Sequence, residues 1–162
     1  MRPSLKFLHI LGIALFLGSL PGHIVLGGVL PGGDIPALGI MFSRRIVLIL
    51  TLAATIPGLV LAVGSGLMLR SRLSPPRPSW LGWHMRAGLT VLAVGLLVIT
   101  PQVFALAGMA AELAEDRFDP AAWGRAKLIE DVAGTVNLLL ALATMALACF
   151  KPDWRRGKGV GE

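Results

Sequence analysis

Four long apolar stretches, at roughly 5–31, 44–69, 80–110 and 124–150, dominate the chain, each separated from the next by charged residues or by clusters of proline and glycine. Each exceeds the roughly 20 residues that an α-helix needs to cross the hydrocarbon core of a bilayer. Lipid offers backbone N–H and C=O groups no partner, so such runs span as helices. The expected fold class is all-α: an integral membrane bundle of four transmembrane helices, one domain over residues 1–162.

Within the first span, "LKFLHILGIALFLGSLPGHIVLGGVL", Ala14, Gly18 and Gly22 recur every four residues. They form a small-residue stripe that another helix or a flat cofactor can approach. Pro21-Gly22 should loosen the helix near His23. The link "PGGDIPALGIMFSRR" reads as a loop or re-entrant segment. In span two, Pro57 predicts a kink, and Gly58, Ala62 and Gly66 make a second stripe, which favours close packing of spans one and two. The proline-rich "SRLSPPRPS" is a stiff connection. Trp80 and Trp83 mark an interface at the start of span three, and Pro101-Gln102 predicts a bend. Asp119 followed by Pro120 signals a helix start. Lys127, Glu130, Asp131, Gly134 and Asn137 give span four one polar face, which must look inward or toward water.

Composition agrees with this pattern: 55% of residues are hydrophobic and 15% charged, with a mean hydropathy of +0.76, against about 25% charged in soluble domains. A net charge of +6 raises the question of nucleic acid, but the basic residues sit at span ends rather than along one stripe, so no nucleic-acid partner is expected. They report orientation instead. Arg2, Lys6, Arg70, Arg72, Arg77, Lys151, Arg155, Arg156 and Lys158 fall on one side. On the other, Arg44, Arg45, Arg117, Arg125 and Lys127 are accompanied by acidic residues. The positive-inside rule then places both termini in the cytoplasm, in a multi-pass protein of the inner (cytoplasmic) membrane. The first segment is read as a retained span rather than a secretory signal, since it lacks a clear A-x-A site. The lone Cys149 excludes an intramolecular disulfide.

The histidines carry the candidate chemistry. His9 and His84 each lie about one turn inside parallel spans from the same face, at one depth. Two imidazoles so placed on different helices are the arrangement that holds a b-type haem, one nitrogen on each side of the iron. Gly12 and Gly88 leave a gap beside each histidine for a porphyrin edge, and Arg86, Arg70 and Lys6 are near enough to that surface to pair with propionates. The plainer readings stand beside this one: His84 as an interfacial residue, and His9 bonded to a carbonyl or to Asn137. His23, about 21 Å further along the first helix, reads as a span-end residue. A second haem there would need Met109, Met41 or another chain. Copper is a rival ligand for imidazoles and thioethers, but Met41, Met68, Met85 and Met109 form no motif and read as packing. The Lys127, Glu130 and Asp131 group is either a proton or ion path or a self-neutralising helix start.

"LKFLHILGIALFLG", "TIPGLVLAVGSGLML" and "WLGWHMRAGLTVLAVGLLVITPQVFALAGMAAE" resemble the four-helix integral membrane proteins of unknown function related to the membrane domain of copper-resistance protein D and to the HemJ type of protoporphyrinogen oxidase. The resemblance covers most of the chain. It implies haem binding, carried on His9 and on His84. This chain ends its first span with "GSLPGHIVLGG" rather than an aromatic, Tyr-Leu-Pro-Arg-like sequence, and has Arg86 near where a lysine is expected. Three functions follow. The first is electron transfer through one bis-histidine haem b, with quinol as a possible donor and a larger membrane complex or homo-oligomer as its setting. The second is porphyrinogen oxidation on a bound tetrapyrrole. The third is a cofactor-free structural or transport subunit.

Overall fold

A computed structural model of the chain describes residues 3–28, 36–113, 115 and 117–152. Four helices, α1 (Pro3–Gly27), α2 (Ala37–Ser71), α3 (Ser79–Leu113) and α4 (Pro120–Phe150), are each long and apolar enough to cross a membrane. No strand occurs among the described residues. The segment "ALGIMFSRR", expected in a link, forms the first turns of α2. Of the rest of that link, Pro36 immediately precedes the helix and residues 31–35 lie outside the described residues. The expected start signal of α4 is realised: Asp119 Oδ1 accepts the N–H groups of Ala121 (2.8 Å) and Ala122 (3.1 Å), with Pro120 in the first turn.

Pro57 and Pro101 act alike. Each follows closely on a turn of π-helix, Thr51–Thr55 and Gly95–Ile99. A proline lacks an N–H, and its ring collides with the carbonyl four residues back. Widening the preceding turn lets the Ile56 N–H reach the Thr51 carbonyl and the Thr100 N–H reach that of Gly95, so the helix continues past the proline. Pro21 differs. α1 stays helical throughout, and the loosening expected near His23 does not occur. Side chains stitch that turn together: Ser19 Oγ donates to the Phe16 carbonyl (2.7 Å), and His23 Nδ1–H donates to the Ser19 carbonyl (2.9 Å).

The helices follow one another around a ring, α1 along the second half of α2, α2 along α3, and α3 along α4. His9 meets the end of α2, and His84 meets the end of α4, so neighbours run antiparallel, and the start of α1 and the end of α4 lie at one end of the bundle. α1 and α4 barely touch among the described residues, which leaves a seam between them. Phe16, Leu59, Val91 and Ala141 form the central apolar layer. Ile40, Leu106, Ala110, Trp123 and Ala126 form a second core toward the opposite end, where α4 begins. Ile10, Val25, Leu97 and Leu139 point outward, as lipid-facing residues do.

The closest helix contact is that of α1 with α2, made of backbone on backbone. A Cβ on Gly12 would fall on the Ala62 amide and 2.7 Å from the Gly58 carbonyl, and one on Gly58 would fall 2.6 Å from the Phe16 nitrogen. The small-residue stripe read on α2 is therefore the contact surface. That on α1 is so only at Gly22, where a Cβ would sit 2.6 Å from the Leu50 side chain of α2; Ala14 and Gly18 are exposed, and Gly12 takes their place. Leucine at position 12 is expected to cost about 1–3 kcal/mol, read as a lower midpoint of denaturant unfolding in detergent. Leucine at position 18, where nothing lies within 4 Å of the Cβ position, should leave that midpoint unchanged.

Candidate functional site

Two cavities lie along the seam, separated by the ring of Phe16, which lines both. The smaller, about 280 Å³, is at the end where α1 begins and α4 finishes, and holds both His9 and His84. Their rings come within 6.4 Å, centre to centre, inclined at 63°. Each is tied to a helix it does not belong to. His9 Nδ1–H donates to the Ala62 carbonyl of α2 (2.7 Å), and His84 Nδ1–H donates to the Thr144 carbonyl of α4 (3.0 Å). These bonds fix the tautomer: with Nδ1 protonated, a neutral ring carries its lone pair on Nε2. No described residue hydrogen-bonds either Nε2. Gly66 makes room for the His9 ring, since a Cβ there would sit 3.2 Å from its Cε1.

Two imidazoles sharing one metal ion, each at a metal–nitrogen bond of about 2 Å, have ring centres about 6 Å apart. The observed separation meets that requirement, and the backbone acceptors behind each ring are the usual outer support of a metal-bound histidine. Among the described residues, no cluster of three or more His, Cys, Asp or Glu side chains forms a fuller ligand set. Met85, Met145 and Cys149 line the same cavity, while Met68 is exposed and Met109 packs on the core around Trp123.

The other residues singled out in the sequence are placed as follows. Gly88 has open space beside it. Gly12 is filled by α2 and leaves no gap next to His9 on that side. Arg86 is exposed and stacks over Trp83 at 5.4 Å, two residues around the helix from His84. His23 has both ring nitrogens engaged, by the Ser19 carbonyl and by Thr51 Oγ1 (3.0 Å), and so differs from the other two histidines.

The larger cavity, about 490 Å³, lies beyond Phe16 toward the other end, and both π-turns line it. It gathers His23, Thr51, Thr55, Thr100 and Asn137 with the Lys127, Glu130 and Asp131 group of α4. Beside it Arg44 is 1% exposed and bonds Glu130 at 2.8 Å and the Gly27 carbonyl at 3.0 Å, with its guanidinium 5.1 Å from the centre of the Trp123 ring. Lys127 pairs with Asp131 and stands 3.9 Å from Glu130. In the sequence Arg44 serves only to report orientation. Its burial follows from the earlier start of α2, which puts it a full turn and more inside a helix rather than at an end. The periodic polar residues of α4 signal this cavity in the sequence, and the threonines ahead of each proline signal the rest.

Replacing Arg44 by methionine strips the half-buried Glu130 carboxylate of its closest partner and should cost about 3 kcal/mol, measured as the unfolding midpoint in detergent. Adding Glu130→Gln to that variant should recover part of the loss, because the stranded charge is then gone.

Comparison of the chain with protein-family models, with curated proteins and with solved structures finds no match.

Proposed function

We propose that this chain is a membrane b-type haem protein in which His9 and His84 hold one haem through their Nε2 atoms, and that it serves electron transfer. The observation that carries the reading is the pair itself: two imidazoles 6.4 Å apart on different helices, each with Nδ1–H committed to a backbone carbonyl. A bound haem would supply one-electron redox chemistry. The chain supplies the rest. The carbonyls of Ala62 and Thr144 aim both rings and raise the basicity of Nε2. Phe16, Ile13, Leu17 and Val91 provide a dry wall, and the seam between α1 and α4 provides room for a macrocycle wider than the cavity. With both histidines engaged as its ligands, a bound haem would have no site left for oxygen, which favours electron transfer over oxygen chemistry. By the distribution of Lys and Arg, the site lies at the cytoplasmic face of an inner membrane, with both termini on that side.

The sulfur atoms of Met85, Met145 and Cys149 around the same cavity favour one second reading, a single soft ion such as Cu(I) between the two imidazoles.

The test is to purify the protein in mild detergent after expression with haem supplied, and to record reduced-minus-oxidised spectra with metal analysis. The expected result is a b-type difference spectrum in the wild type and in His23→Ala, lost in His9→Ala and in His84→Ala. Folded wild-type protein without a Soret band overturns the haem reading, and stoichiometric copper in that protein establishes the second.

A further inference from the structure

We propose that the larger cavity is a binding site for a neutral, mostly apolar molecule that donates hydrogen bonds from hydroxyl groups, the chemistry of a quinol. Nothing in this requires a group at His9 and His84, and the two sites are divided by Phe16.

The class of ligand follows from what the lining lacks. Most of the wall is apolar, contributed by Leu20, Ile24, Ile56, Leu59, Ile99 and Leu138, which suits a ring or chain rather than a hydrated solute. The charges at its rim cancel. Arg44 is matched by Glu130 and Lys127 by Asp131, so an ion entering this cavity would meet no uncompensated charge.

Several of the remaining polar groups offer lone pairs rather than protons. Thr100 Oγ1 spends its hydrogen on the Gly95 carbonyl at 2.8 Å, which leaves only lone pairs for a ligand. Asn137 is 4% exposed, and its Oδ1 is buried without a partner among the described residues. The Asn137 amide makes no side-chain hydrogen bond among the described residues, and a hydroxyl, which both donates and accepts, suits it. His23 is of the same kind. Its Nδ1–H is committed to the Ser19 carbonyl, and the single Thr51 hydroxyl hydrogen is contested between His23 Nε2 (3.0 Å) and the Val47 carbonyl (2.9 Å).

The backbone gives independent support. Both π-turns of the described chain, Thr51–Thr55 and Gly95–Ile99, open onto this one cavity from different helices. Such turns are frequent at functional sites. The seam between α1 and α4 offers an approach from the lipid, where an apolar tail would remain.

The test is equilibrium binding of decylubiquinol, kept reduced under anaerobic conditions, to the full chain in lipid nanodiscs, with nanodiscs of the same lipid as the blank. Saturable binding is expected. It should weaken about tenfold or more for the quinol whose hydroxyls are capped as methyl ethers, and by a similar factor in the Thr100→Val/Asn137→Leu variant, as the loss of one or two hydrogen bonds implies. His9→Ala should bind the quinol as the wild type does, which separates this site from the haem reading. Binding no greater than in empty nanodiscs overturns the proposal, because the cavity then holds lipid chains only. So does equal affinity for the methyl ether, a contrast made on the wild-type protein that stands even where the double variant fails to fold.

Discussion

The close approach of α1 to α2 organises the rest of this molecule. In a bilayer, helices gain little from hiding apolar surface from lipid, and association rests on backbone approach and on polar groups that find partners. Gly12 and Gly58 supply the approach: each lies where a Cβ would strike the backbone of the other helix. With the two helices at that distance, His9 reaches the Ala62 carbonyl, Ser19 reaches Thr55 (2.8 Å) and His23 reaches Thr51. These bonds run along one face in order, like rungs. Drawing α1 toward α2 also leaves it with little contact to α4, and the seam that results contains both cavities.

Polar groups inside the spans divide by whether their charge or lone pair is matched. Arg44, Glu130, Lys127 and Asp131 pair with one another, and Arg44 adds a carbonyl and an aromatic face, with its Nε–H left unpartnered among the described residues. Ser43 and Ser65 turn their hydroxyls back to carbonyls of their own helices. Two groups keep an open valence beside the smaller cavity, Nε2 of His9 and Nε2 of His84, and beside the larger one the Asn137 amide makes no side-chain hydrogen bond among the described residues. A low dielectric makes such openings costly. That cost is why these positions, rather than the paired charges, carry the functional readings given above. Phe16 keeps them in separate compartments, the histidine pair on one side and the amide on the other.

Much of this was legible from residue order alone. The four spans, the helix start at Asp119, the shared depth of His9 and His84 and the polar face of α4 all follow from periodicity and length. Other features depend on which way a helix faces, and that is a property of pairs. Gly12 reads as a gap beside a histidine until Gly58 and Ala62 are seen to occupy it. Arg86 reads as a neighbour of His84 along the chain, yet it projects to Trp83 on the outside of the helix. Arg44 reads as a charge at a span end because "ALGIMFSRR" looks like a link, and the helix that begins at Ala37 buries it. The prolines at 57 and 101 announce irregularity correctly, but only the backbone tells a kink from a widened turn.

The central claim is that His9 and His84 form a prepared pair of ligands, each with Nδ1 protonated and Nε2 free. Nitrogen-15 NMR of the histidine side chains in the ligand-free protein, repeated as haemin is added, addresses it most directly. The account predicts the Nδ1–H tautomer for both residues, and paramagnetic broadening of both on haemin addition while His23 remains sharp. An Nε2–H tautomer at either position, or signals from His9 and His84 that haemin leaves untouched, would contradict it.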